Sequence, residues 1–415
     1  MNTHFSFGRR TKLKSQQGAA LLLLMLLVLI GVSSVVMVNL SNPSGHLMQT
    51  DDSMKNLRKA RELLLGWAVS HPDRPGLLPL PDLNGDGNYD GNSDCLNTPL
   101  NAASLLGKFP WRTQEAPCPT PFRGIGSNPA DATGETLWYA VSANVVYNAA
   151  TGQYPKINSE LRSTNTGWLT VIDESGVVLS NRVAFVLLAP AGTVPGQVRG
   201  GATPSASQYL DSVTVNGQTQ SNSDLDQIFV RAKTQDSFND LLIYVTIDEL
   251  IARVENRMLR DLKSCLDSYA LANASVYPWP EAIDAAVNGN SNGEFGRFTT
   301  QGITWPASCI VTKPVWADWT EIAFYKIAPA FVPGGDLSCP ICLTLNGSGN
   351  YRAMIFLAGL ALTGQTRVTL QDKATVTNYL EGLNSSPQNN QFISQPETTL
   401  FNDRITCVDA NNVCK

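Results

Sequence analysis

The stretch IFVRAKTQDSFND at residues 228–240 returns as QFISQPETTLFND at residues 391–403. Phe229 matches Phe392, and Phe238-Asn239-Asp240 matches Phe401-Asn402-Asp403 at the same spacing. Further matches surround this pair. Leu78-Pro79-Leu80-Pro81-Asp82 answers to Tyr277-Pro278-Trp279-Pro280-Glu281, and Leu137-Trp138-Tyr139-Ala140-Val141 to Ile322-Ala323-Phe324-Tyr325-Lys326. The run Val183–Ala189 is echoed by Ala353–Ala358, and Tyr209-Leu210-Asp211 by Tyr379-Leu380-Glu381. The runs are rich in β-branched and aromatic residues and bounded by Gly, Asn and Pro, as half-buried strands are.

A helical pattern precedes each series. Met54, Leu57, Arg61, Leu64, Trp67 and Ala68 mark one stripe, which resumes near Asp51 and ends at His71-Pro72. The second opens with Thr246-x-x-Glu249, a capping box that satisfies otherwise unpaired amides. Leu250, Ile251, Val254, Met258, Leu262, Leu266 and Tyr269 then form its apolar face. Two tandem α+β modules are therefore expected, 50–245 and 246–415, each an amphipathic helix packed on an antiparallel sheet. Convergent patterning without duplication is the competing reading.

Ahead of both lies AALLLLMLLVLIGVSSVVMV, residues 19–38, without a charge. At roughly 1.5 Å per residue such a helix spans a hydrocarbon core of roughly 30 Å. Arg9, Arg10, Lys12 and Lys14 precede it with no acidic residue, which orients the N-terminus to the cytoplasm. The expectation is a leader at 1–18, a transmembrane helix at 19–41, and a break at Asn42-Pro43-Ser44-Gly45. The apolar run is too long for a secretory signal, and its end has no small-x-small cleavage site. A plain signal anchor stays open.

The junction Gln16-Gln17-Gly18 before Ala19-Ala20-Leu21-Leu22 resembles the class III signal of type IV prepilins and pseudopilins, above all the PilX-like minor pilins. The resemblance covers only the N-terminal segment. It implies cleavage between Gly18 and Ala19 by a prepilin peptidase, and methylation of the new N-terminus at Ala19. It also implies pilin-like modules in the periplasm, and as partners other pilins or pseudopilins and the inner-membrane assembly platform. Major pilins carry Glu at the fifth mature position, where this chain has Leu23. The tip pseudopilin of type II secretion also lacks that Glu, which implies a capping or priming position.

Asp82-x-Asn84-x-Asp86-Gly87-Asn88-x-Asp90 has the oxygen spacing of a calcium loop, with Asp94 one residue beyond the usual last ligand. An Asx-turn-rich surface loop is the other reading. Cys95, Cys118, Cys265, Cys309, Cys339, Cys342, Cys407 and Cys414 make an even count beyond the apolar run, which favours disulfides in an oxidising compartment. Proximity suggests Cys95 with Cys118, Cys265 with Cys309, and Cys407 with Cys414. Cys339-Pro340-Ile341-Cys342 reads as a turn staple, since a strand-like run follows it rather than a helix. Trp279, Trp305, Trp316 and Trp319 are read as core before partner anchors.

Net charge is −5 and no basic block lies beyond the leader, so nucleic acid is not an expected partner. No phosphate loop or His-Glu pair occurs, and the expectation is no enzyme. The chain reads as a structural subunit of a type IV pilus or type II secretion pseudopilus at the bacterial inner membrane, its headpiece periplasmic. The alternatives are a membrane-anchored periplasmic binding or adhesion protein outside any filament, and a thiol oxidoreductase using Cys339 and Cys342.

Overall fold

The computed structural model describes residues 43–83, 89–94, 99–112, 124–200, 204–283, 293–340 and 342–408. Contacts divide the chain into two units, Met1–Asp52 and Ser53–Lys415. Helix α1 runs from Pro43 to Ser70, so the helical stripe starts well before Asp51, and Pro43, Ser44 and Gly45 belong to it. Proline fits a first helical turn, where its missing N–H has no acceptor to lose. The helix ends at His71, whose Nδ1 accepts from the amides of Asp73 and Arg74 at 3.3 and 3.0 Å. Burial holds this imidazole neutral, its pKa lowered to about 4.

Helix α2, Ile247–Ala272, begins where the sequence places it, with Thr246 as N-cap accepting from Glu249 N. The reciprocal half of the capping box is replaced, because the Glu249 carboxylate pairs with Arg61 of α1. A short third helix, α3, covers Leu370–Lys373.

The strands are β1 (Leu106–Lys108), β2 (Trp138–Val141), β3 (Leu169–Asp173), β4 (Val178–Ala189), β5 (Ser212–Val215), β6 (Gln218–Ser221), β7 (Ile228–Arg231) and β8 (Leu241–Thr246). After α2 come β9 (Phe295–Arg297), β10 (Ala323–Ile327), β11 (Leu343–Leu345), β12 (Ser348–Tyr351), β13 (Ala353–Leu357), β14 (Gln391–Phe392) and β15 (Arg404–Val408). Antiparallel pairing gives the series β1-β2-β4-β8 in one sheet and β9-β10-β13-β15 in another. The registers correspond: Tyr139 faces Gly107 and Leu187, as Tyr325 faces Gly296 and Ile355.

The expectation of a transmembrane helix followed by two tandem modules, each a helix on an antiparallel sheet, is corrected on three points. Parallel pairs occur in both halves, β3 with β7 within the first sheet and β11 with β14 in a separate three-stranded sheet, while β9-β10-β13-β15 is wholly antiparallel. One hydrophobic core joins α1, α2 and strands of both halves, and α2 packs against β4 and β8 as well as β13 and β15. Its buried residues (Ile247, Leu250, Ile251, Val254, Met258, Leu259, Leu262, Leu266) cover an arc too wide for a single sheet. Finally, no helix among the described residues is long and apolar enough to cross a membrane, and the run at 19–38 lies outside them. Helix α1 carries Lys55, Arg58, Lys59, Arg61 and Glu62 along its length, which suits water rather than lipid.

Candidate functional site

The repeated sequence folds into two matched polar knots. In the first, Asp240 Oδ2 accepts from Asp211 N at 2.8 Å and from Asn222 Nδ2 at 3.0 Å. Asp211 Oδ2 returns the contact to the amides of Asn239 and Asp240, and its Oδ1 accepts from Gln197 Nε2 at 2.8 Å. Asn222 in turn accepts from Val230 N at 2.7 Å and donates to Val230 O.

The second knot repeats this group by group. Asp403 Oδ2 accepts from Glu381 N and Asn384 Nδ2, both at 2.9 Å. Glu381 accepts from Asn402 N at 3.0 Å and from Gln365 Nε2 at 2.8 Å. Asn384 clamps Ile393 through both backbone groups. Arg199 and Arg367 close the knots, each donating to loop carbonyls and lying over the ring of Tyr209 or Tyr379.

Burial raises both Asp240 and Asp403 well above the usual carboxylate range, and the neighbouring carboxylates of Asp211 and Glu381 raise them further. Each knot thus favours the protonated form of its aspartate. Chemically this is a pinning device, because the groups point into protein and are sealed from solvent.

A second matched feature braces the proline-rich segments. Tyr139 Oη donates to Pro79 O at 3.0 Å and Tyr325 Oη to Pro278 O at 2.8 Å. Gly107 and Gly296 sit where a Cβ would overlap the carbonyl oxygens of Asp82 and Glu281, so only glycine admits the paired backbone.

Several of these residues escaped the sequence reading. The signal was present in Gly196-Gln197-Val198-Arg199 and Gly364-Gln365-Thr366-Arg367, a repeated Gly-Gln-x-Arg. Asn222-Ser223 and Asn384-Ser385 recur as well, but an Asn-Ser pair in a polar run is too common to stand out.

The structure places the sequence-derived candidates unequally. Gly18 and Ala19, Asn84, Asp86 and Asn88, and Cys95, Cys118 and Cys414 lie outside the described residues. Of the calcium-loop carboxylates, Asp82 Oδ2 accepts from Gly91 N at 2.7 Å and Asp94 Oδ2 from Leu83 N at 2.8 Å. Asp90 gives both oxygens to Asn92, so this half of the loop is built as Asx turns.

Cys265 and Cys309 form a disulfide, and so do Cys339 and Cys342. Cys407 is disulfide-bonded as well. Cys342 leads directly into strand β11, without the helix N-terminus that would lower a thiol pKa. Trp305, Trp316 and Trp319 are buried around Phe298 and Cys309, while Trp279 is half-buried.

Comparison of the chain with protein-family models, curated proteins and solved structures gives no match in any of the three.

Proposed function

We propose that the chain is a minor pilin or pseudopilin that caps or primes a type IV pilus or type II secretion pseudopilus. The observation that carries this reading is the Gln16-Gln17-Gly18 junction with Ala19, set directly before twenty uncharged residues. The apolar stretch holds the protein at the bacterial inner membrane, basic tail in the cytoplasm and headpiece in the periplasm. The disulfides Cys265–Cys309 and Cys339–Cys342 support an oxidising compartment. The protein acts by assembly rather than catalysis: after trimming by the prepilin peptidase, the apolar segment exchanges lipid for like helices of other pilins on the assembly platform. With Leu23 in place of the usual Glu, no carboxylate is offered to a neighbouring subunit's amine, which suits an end position.

N-terminal sequencing of protein purified from native membranes tests the reading. Wild-type material should start at Ala19 with a methylated amine, and material from a prepilin-peptidase knockout at Met1. A wild-type chain that still begins at Met1, in cells whose other prepilins are matured, refutes it.

Calcium at residues 82–94 is a separable proposal supported by the oxygen spacing. It predicts that EGTA lowers the melting temperature, that added calcium restores it, and that Asp86→Asn removes the response. An unchanged melting temperature excludes it.

A further inference from the structure

Helices α1 and α2 leave between them a groove of about 480 Å³. Its floor is Leu65 and Val69, and Arg253, Arg257 and Arg260 rise along one wall. At i, i+4 and i+7 these arginines share one face of α2 over about 10 Å. Glu62 is the acidic residue among the groove's lining, on a chain whose net charge is −5.

The three guanidinium groups are not equally engaged. Arg257 is fixed, donating to Val69 O and His71 O and pairing with Asp261 at 3.0 Å. Arg253 shares Glu62 at 3.2 Å and Glu249 at 3.4 Å through exposed pairs that a new carboxylate can replace at little cost. Arg260 is exposed and has no acidic partner among the described residues.

Gly66 adds an independent observation. It stands in the interior of α1, where glycine costs about 1 kcal/mol relative to alanine. The core does not require it, since a Cβ there would meet nothing within 4 Å. With Ser70 one turn later it opens a smooth strip along the groove, wide enough for another backbone to lie close.

We infer that this groove is the docking site for an acidic helix of a partner protein. The partner's carboxylates, spaced by three or four residues, would meet Arg260 and Arg253, and an apolar side chain would cover Val69 beside Gly66. The groove lies wholly within the folded headpiece, so the inference stands whatever the fate of the N-terminus.

The test uses the full chain in lipid nanodiscs and a fluorescent, hydrocarbon-stapled helix bearing Glu at i, i+4 and i+7 with Leu between. The Glu helix should bind at least about tenfold more tightly than its Gln twin, and binding should weaken as salt rises. Arg260→Glu, on an exposed position, should cost about tenfold and transfer preference to a Lys twin. Gly66→Leu should block the groove sterically. Equal binding of the Glu and Gln helices, or an unaffected Arg260→Glu chain, overturns the inference. So does full displacement of the helix by millimolar sulfate, which would mark a small-anion site. Self-association of the chain that Arg260→Glu abolishes would make the occupant a second copy and overturn it too.

Discussion

Asp240 and Asp403 carry the most consequential residue-scale chemistry in the headpiece. Each is buried beside a second carboxyl, and each has a folded-state pKa raised by burial and by that neighbour. A carboxyl whose pKa rises on folding stabilises the protein fully below the unfolded value, and that contribution is lost as pH climbs through the folded value. The charged groups facing Asp240 are Asp211 and Arg199, and Glu381 faces Asp403. The melting temperature should therefore decline as pH rises above the ordinary carboxylate range, and Asp240→Asn with Asp403→Asn should flatten that decline while retaining both accepted hydrogen bonds. Thermal melts across pH check this; a double variant with the wild-type slope counts against it. Asn222→Ala should cost roughly 3 kcal/mol in urea melts, because it strands Val230 and Asp240 together.

At the scale of elements, the joint between the halves is electrostatic as well as apolar. Glu255 on α2 is 1% exposed and pairs with Arg162, itself 5% exposed, at 3.2 Å. Arg404 of β15 reaches the same carboxylate at 3.4 Å, and Arg162 also meets Glu397 at 3.2 Å. Residues from before α2, from α2 and from after it thus share one charge cluster, with Arg162 and Glu255 as its buried centre. Glu255→Ala should destabilise, by less than the roughly 3–5 kcal/mol of a fully stranded buried charge, since Arg162 loses its buried partner but keeps the exposed Glu397. Arg162→Met combined with Glu255→Leu should recover most of that loss, as apolar replacement of both partners removes the desolvation penalty. Denaturant titration of the single and double variants measures both; a double variant as weak as Glu255→Ala would show that packing, and not charge, is at issue. Helix α2 itself was plain in the sequence through Thr246 and its apolar stripe. Its double-sided burial was not, because periodicity shows that a face is apolar and does not show how many sheets will cover it.

Over the whole molecule, the matched halves do not behave as beads on a string. The core that includes Leu57, Leu64, Tyr139 and Phe185 is continuous with the one that includes Met258, Tyr325, Ile355 and Tyr379. Calorimetry of the headpiece should accordingly show a single cooperative transition, and a destabilising change in the first knot should lower the melting of the second half with it. Two resolved transitions, only one of them shifted by Asn222→Ala, would contradict the shared core.

The repeat, the start of α2 and most strand runs were legible from residue order, since propensity and periodicity act locally, whereas the start of α1 at Pro43 was not. Much of the knot was legible too: Tyr209-Leu210-Asp211, Phe238-Asn239-Asp240 and their counterparts were visible as motifs. Tertiary structure alone decided that these motifs meet, that parallel strand pairs complete the sheets, and that both halves close on one helix. Such choices are made by burial and by hydrogen bonds between groups tens to hundreds of residues apart. A carboxyl such as Asp403 or Glu255 gains its role only once water has been removed from around it.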